Sequence, residues 1–96
     1  MPSYRSILTV TTLLPARDPQ DVEAAARHAV ESSTTLEAFQ VDVVSGQPRV
    51  TVRFASTDDA EARSVHERVL LQVRTAAVVP AAVLARVVGG RSVPLR

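Results

Sequence analysis

The sequence of 96 residues has no cysteine, tryptophan, lysine or asparagine, and its only aromatic residues are Tyr4, Phe39 and Phe54. Without cysteine the chain has no disulfide framework, no thiolate zinc site and no thiol nucleophile. Sheets that recognise RNA stack its bases on aromatic side chains of the central strands. Both phenylalanines fall on the face that we expect to be buried, so the sequence does not favour such a surface.

Long apolar runs are also missing. A membrane-spanning helix needs about 20 predominantly apolar residues, and no window of the sequence approaches that length. The first apolar stretch, Ile7 to Leu14, is interrupted by Thr9, Thr11 and Thr12, whereas a secretory signal needs about 7–15 uninterrupted apolar residues. We therefore expect a soluble, cytoplasmic protein without a membrane partner.

Neither sign of charge dominates. Eleven arginines stand against ten acidic residues, which gives a net charge of +1. A protein that binds nucleic acid through its phosphates normally has a clear basic excess, so that function is not expected. Alanine (14 residues) and valine (17 residues) are abundant instead. This composition and length predict one compact domain over residues 1–96, with a core of small side chains.

Two segments have the start signals and the apolar spacing of amphipathic helices. In the first, Asp18 is a typical N-cap, Pro19 suits the first helical position, and the pattern ends at Ser32–Thr35. The second begins within Ser56–Asp59, where either hydroxyl can cap the helix. Small or aliphatic residues recur every three to four positions in both segments: Val22, Ala25, Ala26, Ala29 and Val30, then Ala62, Val65, Val69, Val73 and Ala76.

Four segments with alternating, β-branched residues predict strands. They are Tyr4–Leu14, Leu36–Val44, 49–54 and Val78–Val88. The Ser45–Pro48 turn joins the second and third strands as a β-hairpin. Gly89-Gly90 predicts another two-residue turn, after which residues 91–95 can fold back as a short edge strand. In that register Val88 lies opposite Arg91, and Arg86 lies opposite Val93.

The predicted order of elements is βαββαβ. Right-handed crossovers turn this order into a four-stranded antiparallel sheet with both helices on one face. We therefore predict a ferredoxin-like α+β sandwich with strand order 4-1-3-2 and a possible short fifth strand at the C-terminal edge. The alternative is a βαβ unit beside a separate hairpin, for which 96 residues leave little room.

The two faces of the predicted sheet differ in composition. The face under the helices is apolar: Leu8, Val10, Phe39, Val41, Val43, Val50, Val52 and Phe54. The uncovered face is more polar: Thr9, Thr11, Gln40, Asp42, Thr51, Arg53, Leu84 and Arg86. With this strand order, Arg53 and Arg86 flank Thr9 and Thr11. Guanidinium groups bind carboxylates and phosphates, and threonine hydroxyls add hydrogen bonds. These four residues therefore predict a site for a small anionic ligand.

Two other interpretations of the uncovered face stay open. Arg53 can pair with Asp42 across the hairpin on a solvated surface that binds no ligand. Alternatively, the face can bind a second copy of the chain, since uncovered sheet faces and edge strands favour association and twofold dimers are the commonest assembly. We therefore expect a homo-oligomer, a dimer in the simplest case.

The sequence predicts no catalytic residue, no metal site and no cofactor. His28 and His66 lie on different predicted helices, without partner ligands at helical spacing, which favours boundary positions over metal binding. Asp58 and Asp59 complement a helix dipole rather than form a carboxylate pair. Ser6 and the other hydroxyl residues have no histidine nearby in the sequence to activate them.

The function favoured by these observations is a non-catalytic, self-associating interaction module or small-ligand module. The first alternative is a small enzyme whose site forms at a dimer interface from Arg53, Arg86 and a histidine. The second is weak nucleic-acid contact through the basic C-terminal arm of Arg86, Arg91 and Arg96. Such an arm can also be a charged edge that discourages aggregation.

Overall fold

The computed structural model describes residues 1–96 as seven strands and two helices. The strands are β1 (Ser3–Thr9), β2 (Thr12–Leu13), β3 (Leu36–Val44), β4 (Gln47–Ala55), β5 (Ala77–Val78), β6 (Ala81–Val88) and β7 (Arg91–Pro94). The helices are α1 (Pro19–Glu31) and α2 (Asp59–Val73), and neither is long and apolar enough to cross a membrane. Five strands form an antiparallel sheet in the order β3-β4-β1-β6-β7, and β2 pairs with β5 separately. The predicted α+β fold with two helices is confirmed, with five strands in its main sheet.

Both helices pack on one face of the main sheet, which we call the covered face. Along β1 the residues Tyr4, Ser6 and Leu8 are fully buried, and the residues between them are partly exposed. The buried residues of both helices join these strands in one apolar cluster: Val22, Ala26, Ala29 and Val30 of α1, and Ala62, Val65, Val69 and Val73 of α2. Because most of these side chains are small, the helices can approach the sheet closely.

Each helix begins at an aspartate. Asp18 caps α1 and forms a capping box with Asp21, in which each side chain accepts the other residue's N–H. This confirms the predicted start of α1. The hydroxyl cap predicted for α2 is wrong, because Asp58 accepts the Glu61 N–H at 2.8 Å. The Ser56 hydroxyl instead donates to the Glu61 carboxylate at 2.7 Å, and so holds the chain before the helix.

Two tight turns connect neighbouring strands of the sheet. In the β3–β4 turn, Ser45 and Gly46 have φ of 53° and 77°. In the β6–β7 turn, Gly89 and Gly90 have φ of 56° and 79°. Positive φ at both central residues defines a type I′ turn, whose twist matches the right-handed twist of the strands. The predicted hairpin and the predicted primed turn are both confirmed.

The short strand β7 forms one edge of the main sheet. It pairs with β6 in the predicted register, with Arg86 opposite Val93. Pro94 is tolerated there because an outermost strand has one side that needs no N–H donor. The Leu95 N–H donates to the Leu84 carbonyl at 2.9 Å, which continues the contact with β6 beyond the strand.

The single strand predicted over Tyr4–Leu14 is wrong, because the segment is divided between two sheets. β1 ends at Thr9, five residues before the predicted end, and β2 pairs with β5 in a separate sheet. The Thr11 N–H donates to the Val78 carbonyl at 3.1 Å and extends this second ladder. The single strand predicted over Val78–Val88 is divided as well, because Pro80, which has no N–H to donate, lies between β5 and β6.

The end of the β3–β4 hairpin is not covered by the helices. Val41 and Val43 were expected in the core, but their side chains are 58% and 74% exposed. Phe39, two residues nearer the core, is partly buried against it. Alternation identifies the face to which a side chain belongs, but it does not show how far a helix extends above that face.

Candidate functional site

The main sheet has a second face, opposite the helices, which we call the open face. The three inner strands supply its side chains at alternate positions: Arg49, Thr51 and Arg53 of β4; Arg5, Ile7 and Thr9 of β1; Ala81, Val83 and Ala85 of β6. The register aligns Thr51, Ile7 and Val83 in one row across the sheet. The centre of the open face is therefore uncharged, and the arginines lie toward its two ends.

Two arginines lie directly opposite each other at one end of the open face. Arg5 pairs in register with Arg53, and like charges in such a pair destabilise a sheet. Their side chains diverge: Arg53 Nε donates to Glu37 at 3.0 Å, and Arg5 Nη1 donates to the Ser92 hydroxyl at 2.8 Å. Because β6 lies between β1 and β7, the Arg5 side chain crosses β6 and covers part of the face.

The acidic partner of Arg53 is Glu37, not Asp42 as predicted. The β3–β4 register shifts around Glu37, and its carboxylate accepts hydrogen bonds from Ser3 Oγ at 2.7 Å and from Arg53. These two donors, Ser3 first, lower the pKa of Glu37. Asp42 lies opposite Arg49 at the other end of the face. A bulge of this kind re-aims one side chain, and the alternating sequence pattern gives no sign of it.

Arg86 and Leu84 belong to the covered face, so their predicted place beside Arg53 is wrong. The register puts Arg86 opposite Tyr4, and Arg86 Nη1 lies 3.7 Å from Asp59 Oδ1 at the start of α2. Leu84 is buried on the same side of the sheet. The alternation predicted for this strand, β6, is displaced by one residue. A one-residue shift moves every side chain to the other face of the sheet.

The two threonines of the predicted anion site do not share a surface either. Thr9 lies on the open face opposite Arg49, four residues along the strand pair from Arg53. Thr11 lies beyond the end of β1, with its N–H bonded to the second sheet. The structure therefore does not bring Arg53, Arg86, Thr9 and Thr11 together. Arg53 lies against the Glu37 carboxylate, and Arg86 lies against the Asp59 carboxylate.

A serine and a histidine that lie far apart in the sequence meet under α2. Ser6 is fully buried, and its Oγ lies 2.6 Å from His66 Nδ1. Burial lowers the pKa of His66, which favours the neutral imidazole. Such a pair is half of a nucleophile and base arrangement, but the serine has no exposed surface for a substrate to reach. In this structure the pair joins α2 to β1.

This pair was missed in the sequence, although a signal for it exists. Ser6 is in phase with Leu8 on the buried side of the predicted strand, and His66 lies beside Val65 of the apolar stripe. The two residues are 60 positions apart, so the sequence around either one gives no sign of the other. Two polar residues in phase with a core need a buried partner, and here each is the partner of the other.

Tyr4 connects the start of α2 to the sheet. Its hydroxyl donates to Asp59 at 2.7 Å, and its ring stacks on Phe54 with the ring centres 6.0 Å apart. Burial, together with the hydrogen bond to Asp59, raises the pKa of Tyr4 to about 12. Arg86 lies against the same carboxylate, so Tyr4 and Arg86 together position the first turn of α2.

The two histidines lie on different helices, as expected. His28 is exposed on α1, whereas His66 is partly buried on α2. No group of three or more histidine and acidic side chains is arranged to hold a metal ion.

The C-terminal arm is attached to the domain. Arg91 is exposed on β7, but the carbonyl of Arg96 accepts a hydrogen bond from Arg63 Nη2 of α2 at 2.9 Å. Leu95 packs against the apolar core. Two of the three arginines of the predicted basic arm therefore lie against α2 or its first turn.

Comparison with known proteins gives a likeness of fold. No protein-family model matches the chain, and no curated protein matches its sequence. A solved structure provisionally named a chlorite dismutase is similar, with a TM-score of 0.50 and 18% sequence identity. The alignment covers 90% of this chain and 44% of that one, so the chain spans less than half the length of its structural neighbour. At this identity the likeness concerns the fold alone, and it supports a ferredoxin-like α+β arrangement.

Proposed function

We propose that this chain is a non-catalytic, self-associating module whose open face binds the open face of a second copy. The observation that carries the proposal is the uncharged row of Thr51, Ile7 and Val83 across the middle of that face. Val83 is 44% exposed, although the opposite side of the same strands lies under two helices. Exposed apolar surface in the middle of a sheet favours association.

The proposal includes a finer description of the sheet. In it, β1, β3, β4 and β6 are the four strands of a ferredoxin-like core in the order 4-1-3-2. β7 then extends the core at its β6 edge and enlarges the face that is available for association.

The open face is large enough for a specific interface. Five strands spaced about 4.8 Å apart are roughly 24 Å wide, and the seven residues of β1 extend roughly 23 Å. Two such faces bury on the order of 1,100 Å² together, which exceeds the roughly 1,000 Å² expected of a biological interface.

The charges of the open face also suit a twofold dimer. Its acids, Glu37 and Asp42, lie on the edge strand β3, whereas the Arg5 guanidinium reaches Ser92 near the opposite edge. A twofold axis parallel to the strands lays the β3 edge of one copy over the β7 edge of the other. Glu37 of each copy then faces Arg5 of the second copy, and opposite charges at an interface fix its register.

Anion binding by Arg53 is not part of this proposal. Its guanidinium is bound to Glu37, and a free anion would have to displace that carboxylate. The two groups predicted to assist it, Arg86 and Thr11, lie elsewhere.

Light scattering after size-exclusion chromatography tests the proposal directly. We expect twice the 10.3 kDa mass of one chain. Ile7→Glu and Val83→Glu each place a carboxylate in the centre of the interface, where burying an unpaired charge is costly, and both are expected to yield monomers. Val83 is already partly exposed, so its variant should fold even if the Ile7 variant does not.

The matched control is Leu71→Glu. Leu71 is 68% exposed on α2, on the far side of the sheet from the open face, so the same change there should leave the dimer intact. A wild-type chain that remains monomeric at high concentration would overturn the proposal. A dimer that persists in folded Val83→Glu would also overturn it.

A further inference from the structure

A cavity of about 280 Å³ lies on the helix side of the sheet, away from the open face. It is bounded by the start of α1, by the chain that follows β1, and by the β3–β4 hairpin. Val22 of α1 and Val50 of β4 form buried walls. Phe39 and Val41 of β3 form the wall toward the uncovered end of the hairpin, where Val41 is 58% exposed.

The lining of this cavity selects against charge. None of its ten lining residues is ionisable, and the only side chains with a hydrogen-bonding group are Thr11 and Thr12. A charged group in such surroundings would lose its hydration without gaining a partner. The nearby helix start is not an anion site, because the Asp18 carboxylate already accepts the Asp21 N–H there.

The volume of the cavity limits the size of its ligand. Sites for drug-sized molecules have volumes of about 300–1,000 Å³, and this cavity is slightly smaller. An apolar cavity of about 150 Å³ binds benzene, so this larger cavity suits a single ring or a short aliphatic chain. A ligand of this kind would also cover the exposed side chain of Val41.

We propose that this cavity binds a small, uncharged, apolar molecule, whose single polar group, where it has one, bonds to Thr11 or Thr12. The cavity and the open face are on opposite sides of the sheet. Ligand binding therefore does not require self-association, and the two proposals can fail separately.

Titration with simple alcohols tests the size and the chemistry of the ligand. Amide NMR shifts of the full chain are followed with 1-butanol, 1-pentanol, 1-hexanol and 1-octanol as probes. Affinity should rise about fourfold for each added methylene and should stop rising when the cavity is full. Hexanoate and hexylammonium have the same chain with a charge, and each should bind at least tenfold more weakly than 1-hexanol.

Two variants on one strand locate the site. Val41→Glu places a carboxylate at the cavity wall and should weaken 1-hexanol binding tenfold or more. Val43→Glu makes the same change two residues farther along β3, on the same side but outside the cavity lining, and should alter binding less than twofold. Both positions are exposed, so both variants should fold, which their amide spectra would show.

Several results would overturn the proposal. The proposal is wrong if alcohol binding does not saturate, or if hexanoate binds as tightly as 1-hexanol. It is also wrong if Val41→Glu and Val43→Glu weaken binding equally. If a second copy of the chain occupies the cavity instead, alcohols will not bind and Val41→Glu will dissociate an oligomer. Retention of 1-hexanol binding by Ile7→Glu would show that the cavity functions independently of the proposed dimer.

Discussion

The two sides of β1 show how one strand serves two different surfaces. Tyr4, Ser6 and Leu8 are fully buried under the helices, whereas Arg5, Ile7 and Thr9, between and after them, are partly exposed. The polar atoms of the covered face bind across layers, from the sheet to α2. Those of the open face bind within the sheet, from one strand to another.

This difference separates what holds the domain together from what is available to a partner. Contacts between sheet and helix are lost when the domain unfolds, so their removal should destabilise it. Side chains that bind to other strands on the open face stay partly solvated in the folded chain, so their removal should cost little stability. Substitutions on the two faces, with decreasing expected effects on the free energy of unfolding, can test this difference between the faces.

The largest difference should appear along β4. Phe54 is fully buried on the covered face and stacks on Tyr4, so Phe54→Ala should lower the free energy of unfolding by about 3–5 kcal/mol. Thr51→Ala, on the open face of the same strand, should change it by less than about 1 kcal/mol. Urea denaturation measures both values. Equal losses would show that the open face contributes to stability as much as the covered one.

The two helices and the main-sheet hairpins were predictable from local chemistry because each carries its own signal. Asp18 marks the start of α1, and the two glycines at 89 and 90 mark a primed turn. The phase of β6 was not predictable, because its run of alanine and valine alternates weakly and Arg86 could be assigned to either face. The candidate sites depend on such phases and on the Glu37 bulge, which is why the four residues of the predicted anion site do not lie together.

The hydrogen bond from Tyr4 to Asp59 should be the next largest contribution. Tyr4→Phe keeps the ring and removes the hydroxyl, and Asp59 remains partly exposed. The loss in unfolding free energy should therefore be about 1.5–2 kcal/mol, at the lower end of the range for bonds to charged groups. Urea denaturation near neutral pH measures it.

Because the pKa of Tyr4 is raised, the free energy of unfolding should depend on pH in the alkaline range. The unfolded chain loses the tyrosine proton near pH 10, whereas the folded chain keeps it to about 12. Stability is therefore fully present below pH 10 and declines as the pH rises toward 12, and Tyr4→Phe should remove that decline. Tyr4 is the only tyrosine, so its ultraviolet absorbance reports the titration, and a midpoint near 10 would contradict the expectation.

His66 should make stability depend on pH in the acidic range. Its pKa is lowered by burial in the folded chain, so below the usual value of about 6.5 the unfolded chain binds more protons. Stability should fall as the pH falls from about 6.5 to the lowered pKa of the folded state. His66→Gln removes the titrating group and should flatten this slope. An unchanged slope in His66→Gln would assign the dependence to other groups.

The smallest effect should come from the Arg53–Glu37 pair on the open face. Both side chains are about one-third exposed, and ion pairs in such positions contribute about 0.2–1 kcal/mol. A double-mutant cycle of Arg53→Gln with Glu37→Gln measures the coupling, which added salt should reduce. The same cycle with Asp42→Asn should show no coupling, since Asp42 lies opposite Arg49. Strong coupling of Arg53 to Asp42 would restore the pair predicted across the hairpin. Coupling to Glu37 alone would show that a bulge at the edge strand determines which charges the open face presents to a partner.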